Sequence, residues 1–193
     1  MQLAVHMKLE SDGIFGNGMS VPGGEDISVQ TDVQGFPFLK GSTFKGIFRE
    51  ELINYLAWEK KTGEEAEAIV ERLMGVSGSH DLESPGKMIV SDLCLHPDLI
   101  KQIQEEEELS PREITEMFTY LRTFTSLEGG LAKEGSLRSA SCIKKGLNFY
   151  GICVCQEEDA AMIKDVLGLI KWVGTMRSRG FGKVNVTGEE VLL

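Results

Sequence analysis

The chain has 193 residues, 41% of them hydrophobic, and a formal net charge of -10 at pH 7. That apolar content is enough for one packed domain and too high for wholesale disorder. No run of about 18 apolar residues is present to span a membrane. The first residues, Met-Gln-Leu-Ala-Val-His-Met-Lys, lack the charged start, apolar stretch and cleavage site of a secretory leader, so the expected location is the cytoplasm. The negative sum argues against a nucleic-acid partner, but placement matters more than the sum. Acid gathers at 64–71 and 105–108, whereas base gathers at 40–49, 133–145 and 171–183. The acidic runs read as solvated faces, and the basic clusters are candidates for one groove.

In chain order, residues 1–10 alternate as a first strand. Residues 11–24 are rich in glycine and read as a mobile loop. A short extended piece at 27–31 leads into a Val33-Gln34-Gly35 turn and the buried approach Phe36-Pro37-Phe38-Leu39. Phe44, Ile47, Phe48, Leu52, Tyr55 and Leu56 then fall at helical spacing, which predicts a helix over 42–60. A second helix is expected over 64–74, with Ala66, Ile69, Val70 and Leu73 on one face. A polar loop over 75–85 and a strand over 87–95 follow. The segment 97–119 is acidic and partly helical. Leu121–Thr125 and 135–140 flank a Gly129-Gly130 turn, as an inserted hairpin carrying arginines. A strand over 147–155, a helix over 159–173 and a last strand over 181–186 complete the chain. This order predicts a single α+β domain over 1–193 on a split βαβ plan, with an insertion at about 97–145.

Two stretches carry chemistry. Gly41-Ser42-Thr43-Phe44-Lys45-Gly46-Ile47-Phe48-Arg49 opens the first helix. Ser42 or Thr43 is the expected cap, and Lys45 and Arg49 share a face four residues apart. Free N–H groups and the positive dipole end suit an anion, phosphate above all. Gly46 inside a helix costs about 1 kcal/mol, which close approach of a backbone would explain. Gly174-Thr-Met-Arg177-Ser-Arg179-Gly180-Phe181-Gly182-Lys183 is a second phosphate-friendly element. Residues 35–42 do not form a P-loop, because that motif needs glycine, then lysine, then Ser or Thr. The cysteines Cys94, Cys142, Cys153 and Cys155 contain no Cys-x-x-Cys pair, and buried free thiols are expected rather than a zinc site.

These pieces resemble the RAMP superfamily of CRISPR-associated proteins. Residues 41–49 look like its helix motif, and Gly86-Lys-Met-Ile-Val-Ser-Asp92 is similar to the strand that follows. Thr123-Phe124-Thr125 with Gly135-Ser-Leu-Arg138 resembles its thumb, and 174–184 its C-terminal glycine-rich loop. The resemblance is to the repeated backbone subunits of type III effector complexes. It implies an RNA-recognition-motif (ferredoxin-like) palm with an inserted thumb hairpin. Copies would stack along a guide RNA beside other subunits of the complex, with target RNA as a further partner. Lys40, Ser42, Lys45, Arg49, Arg122, Phe124, Arg138, Arg177, Arg179 and Lys183 would contact RNA.

The family pattern also has an aspartate on a loop upstream of the helix, with a second acidic residue six positions on. Asp26-Ile-Ser-Val-Gln-Thr-Asp32 has that spacing, so the resemblance makes Asp26 the catalytic position for target-RNA cleavage, with Glu25 the adjacent alternative. The turn before Phe36 is a residue shorter than the pattern, and Val33 stands where a proline is usual. The implied reaction is attack of a ribose 2′-hydroxyl on the neighbouring phosphate, assisted by Mg²⁺ or another loosely held divalent cation. No histidine is required, and His6, His80 and His96 are scattered. The alternative is a structural RNA-binding subunit, backbone or cap, whose complex uses a separate nuclease.

Overall fold

A computed structural model describes residues 1–18, 26–61, 63–75, 86–106, 108–125, 127–133 and 136–191. Glu25, His80 and Gly135 lie outside these residues. In β1 (Gln2–Leu9), Leu3, Val5, Met7 and Leu9 are buried and alternate with more exposed positions. This is the period-2 signature of a strand with one face on a core. β1 pairs antiparallel with β8 (Asn148–Val154) on one side and with β9 (Val184–Glu190) on the other. β8 in turn pairs with two short pieces, β2 (Ile89–Val90) and β3 (Cys94–Leu95). Taking those two as one interrupted strand, the sheet runs fourth, first, third, second, which is the split βαβ arrangement.

The strand expected over 87–95 is therefore broken at 91–93. There Leu93 turns away to exchange backbone hydrogen bonds with Leu39, at 2.9 Å in both directions. The Ser91 hydroxyl fills the gap by accepting from the Ile152 N–H at 2.9 Å.

α1 (Gly41–Trp58) and α5 (Ala160–Leu169) cover one face of the sheet. α1 buries Phe44, Phe48, Leu52 and Leu56, each four residues from the next, so they form one stripe. Full burial of each such side chain contributes about 1.5–3 kcal/mol. α2 (Glu64–Met74) packs on α1 and is tied to the start of α5 by Arg72. Its guanidinium donates to both oxygens of Asp159, a carboxylate only 2% exposed. α5 is shorter than the predicted 159–173, since the chain becomes extended at Ile170 and runs on to pair Trp172 with Lys183. The last strand starts later than predicted, because Gly180 and Gly182 keep the backbone in the left-handed region before it, and ends later, because its pairing with β1 runs on to Glu190 opposite Leu3.

Between β3 and β8 the chain inserts α3 (Pro97–Glu106), α4 (Pro111–Phe118) and the hairpin of β4 (Thr119–Phe124) with β7 (Arg138–Ile143). β5 (Leu127–Glu128) and β6 (Leu131–Ala132) form its tip around the Gly129-Gly130 turn. Ser110 caps α4 in a reciprocal box with Glu113. The base of the insertion is held at the 32–36 turn, where the Thr115 hydroxyl donates to the Gly35 carbonyl at 2.9 Å.

Cys142, Cys153 and Cys155 are buried and Cys94 is half-buried, all as free thiols. Burial pushes Cys153 up to about 12 and Cys142 to about 11, so both remain protonated at neutral pH. No helix among the described residues is long and apolar enough to cross a membrane.

Candidate functional site

The glycine-rich loop owes its shape to four backbone positions with positive φ: Gly174, Met176, Gly180 and Gly182. Two of them are also contact points. A Cβ on Gly174 would sit 2.4 Å from the Ile14 carbonyl oxygen, and one on Gly182 would sit 1.9 Å from that of Val173. The loop is pinned by Thr175 N–H donating to Ile14 and Gly182 N–H donating to Asp12, at 3.0 and 2.8 Å. Arg177–Arg179 forms a single 3-10 turn whose side chains all face solvent.

This folding brings the two phosphate-friendly elements together. Lys40, Thr43 and Ile47 of α1 and its approach line a cleft of about 170 Å³ with Gly174, Thr175 and Arg177. Lys40, Thr43 and Arg177 are exposed at its rim. Glu50 lies 3.9 Å from Arg177, a solvent-exposed pair that contributes little.

Lys45 and Arg49 lie on the other side of α1. The Lys45 ammonium donates to the Met88 carbonyl at 2.9 Å, and burial pulls its pKa below the ordinary lysine value, with the Arg49 charge adding to the effect. Arg49 lines a separate hollow between α1 and α2, together with Glu67 and Glu71. Ser42 is exposed in the first turn. Lys183 is exposed and pairs with Glu10 at 3.0 Å, while its N–H donates to the Ser11 hydroxyl.

The capping of α1 differs from the expectation. The helix starts at Gly41 with Lys40 at the cap position, and neither Ser42 nor Thr43 caps it, because both already have helical backbone. The cap comes from Asp92, whose carboxylate accepts from the Gly41 N–H at 2.8 Å across 51 residues. Among the described residues nothing lies within 4 Å of a Cβ position on Gly46, so none of their backbone approaches it. The close approach is at Gly41, where a Cβ would lie 2.4 Å from the Val90 carbonyl oxygen. Asp92→Ala is expected to cost about 1 kcal/mol of stability by leaving that N–H without its partner, read as a lower urea midpoint at unchanged slope.

Asp26 is exposed and anchored to the hairpin. Its carboxylate accepts from the Ser139 N–H at 2.7 Å, its own N–H donates to the Ser139 carbonyl at 2.9 Å, and Ile27 bridges Ala140 in parallel. Asp32, six residues on, shapes the backbone instead. Its Oδ1 accepts from the N–H groups of Gln34 and Phe36, both at 2.9 Å, closing the turn before α1. Among the described residues no group of three His, Cys, Asp or Glu side chains is placed to hold a metal ion.

The hairpin residues converge on the glycine-rich loop. Ile14, Ala140, Cys142 and Phe181 form a small second core, against which Ile27, Phe124 and Met176 pack. Arg122 and Arg138 are exposed on β4 and β7, and the register sets Phe124 opposite Arg138. Phe124 meets Phe181 edge-on at 5.7 Å between ring centres. The Arg122 guanidinium lies 5.0 Å from the Phe181 ring and 5.9 Å from that of Phe124, and Arg179 lies 5.7 Å from Phe124. Sequence reasoning nominated Arg122, Phe124 and Arg179 separately, named Thr43 only as a helix cap, and quoted Phe181 and Asp92 within motifs without a role of their own. The signal for Phe181 was its position between two glycines, where the backbone must reverse around an inward side chain.

A sequence profile of the RAMP superfamily matches residues 6–185. No curated protein matches the sequence. Among solved structures, the chain is similar to one in the cryo-EM structure of the type III-B Cmr-beta complex bound to cognate target RNA. The identity is 12% and the TM-score 0.73, with 97% of each chain covered. A chain of the same complex in its apo state matches at 12% identity and a TM-score of 0.71, again over 97% of both chains.

Proposed function

The chain belongs to the RAMP superfamily, and from that premise we propose that it is a guide-RNA-binding backbone subunit of a type III CRISPR interference complex. The observation that carries this reading is the second core. It packs the segment after Asp26, the thumb hairpin and the glycine-rich loop together, and that loop also lines the cleft with Lys40 and Thr43. The exposed cations Lys40, Arg122, Arg138, Arg177 and Arg179 thus collect on a chain whose sum is -10. The type III-B chains of the same fold come from an assembly solved bound to cognate target RNA and in its apo state.

In this reading the guide backbone passes along the α1 approach and the glycine-rich loop. Copies of the chain stack along it with other subunits, and target RNA pairs with the guide past the hairpin and Asp26. Sequence is read by base pairing, so the protein needs only backbone contacts. Lys45 and Arg49, on the far side of α1, fall outside this path and are assigned to the contact with the Met88 carbonyl and to the hollow beside α2. Asp26 acts on target RNA by holding its carboxylate at a fixed place beside β7. Asp26 is the residue that would hold a loosely bound divalent cation there, and when bound that ion would offset charge developing on the phosphate.

The test is RNA binding by the full chain across a salt series. Lys40→Ala and Arg177→Ala are each expected to weaken binding of a single-stranded RNA by about tenfold. Each should also make the slope of log K against log salt shallower by about 0.7. Unchanged affinity in both variants overturns the proposed RNA path.

A further inference from the structure

We propose that Phe181 and Phe124 are positioning residues, Phe181 holding Arg122 of the thumb hairpin and Phe124 joining it to Arg179 of the glycine-rich loop, so that the two guanidiniums form one clamp for an RNA backbone. This rests on the RNA-binding reading above and adds to it a role for two aromatic side chains.

The geometry is specific. Phe181 is 4% exposed and points inward because Gly180 and Gly182 hold the backbone at φ of 84° and 77° on either side of it. Phe124 stands over it edge-on. Both guanidiniums lie within the roughly 6 Å at which a cation is attracted to a ring face. Among the described residues neither Arg122 nor Arg179 has a carboxylate partner, in contrast to Arg72, Arg112 and Arg177. Two uncompensated cations from segments 57 positions apart in the chain are therefore brought to one aromatic pair.

A guanidinium held against a ring has given up much of its rotamer freedom before any ligand arrives, and the N–H groups not used locally, as Arg122 uses one toward Tyr120, face outward for contact with phosphate. Ordering in advance raises affinity without adding a contact. The arrangement also links the hairpin to the loop, so a shift of one displaces the cation on the other. A direct wedge of Phe124 between bases is the competing assignment. Its half-buried ring, already in contact with Phe181 and both arginines, favours the supporting role.

The experiment measures binding of the full chain to an unstructured single-stranded RNA, with thermal unfolding of each variant alongside. Arg122→Ala and Arg179→Ala are expected to weaken binding about fivefold to tenfold and to lower the salt slope by about 0.7 each. Phe181→Leu keeps an apolar side chain in the small core but removes the ring, and it should reproduce the Arg122→Ala loss. The double variant Phe181→Leu/Arg122→Ala should bind no more weakly than Arg122→Ala alone, because the ring acts through that cation. Phe124→Leu is a second, half-buried variant expected to weaken binding, whereas Phe124→Tyr, which keeps the ring, should bind as wild type. Losses that simply add in the double variant, or wild-type binding by Phe181→Leu and Phe124→Leu, overturn the positioning proposal alone. Wild-type binding and slope in both arginine variants would instead overturn the RNA path at this point.

Discussion

Asp26→Asn is expected to stop cutting of target RNA by the assembled complex, with a fall on the order of 10²-fold or more, while RNA affinity stays at the wild-type level. The amide is the right replacement because its oxygen still accepts the Ser139 N–H that holds the carboxylate at 2.7 Å. The anchoring to β7 survives, and only the negative charge is lost. Attack by a 2′-hydroxyl depends on in-line geometry and on charge stabilisation at the phosphate, so removing the carboxylate separates those contributions from RNA binding. Cleavage is measured on the complex with Mg²⁺ and guide-matched RNA under single-turnover conditions. Wild-type rates in the variant would remove Asp26 from the chemistry and leave the chain as a structural RNA-binding subunit whose complex relies on another nuclease.

Gly182→Ala is expected to destabilise the fold by about 3 kcal/mol or more and to weaken RNA binding with it. The backbone there has φ of 77°, and the added Cβ would lie 1.9 Å from the Val173 carbonyl oxygen. Relief requires breaking a tight set of contacts, in which the Val173 N–H donates to the Gly182 carbonyl and the Gly182 N–H donates to Asp12, both at 2.8 Å. Those bonds place the loop that bears Arg177 and Arg179 and position Phe181 under Arg122. Gly180→Ala is the control: φ is 84° but none of the described residues lies within 4 Å of its Cβ position, so only the backbone cost of about 1–2 kcal/mol applies. Urea midpoints of the two variants decide it. Equal, small losses would mean that the approach of Val173 to Gly182 is not a constraint on the loop.

The elements were legible wherever a local period spelled them out. Leu3, Val5, Met7 and Leu9 mark a one-sided strand, and Phe44, Phe48, Leu52 and Leu56 mark a helix stripe, because backbone geometry alone fixes which side chains share a face. The α+β order and the paired glycines of the hairpin tip and the C-terminal loop were legible for the same reason. Boundaries failed where a distant partner ended an element: Leu39 drew Leu93 out of its strand, and Lys183 paired with Trp172 beyond α5.

The candidate site followed the same division. Sequence spacing determined that Lys45 and Arg49 share one face of α1, and the resemblance nominated Asp26 on the loop upstream of the helix motif. Only the tertiary structure decided that the glycine-rich loop meets the opposite face, at Lys40 and Thr43. Only it decided that Asp92 caps Gly41, that Asp26 is tied to Ser139, and that the Phe124–Phe181 pair gathers two arginines. Periodicity records which residues share a face, because neighbours along the chain fix that. What the face meets is set by packing between segments far apart in sequence, and no local pattern records it.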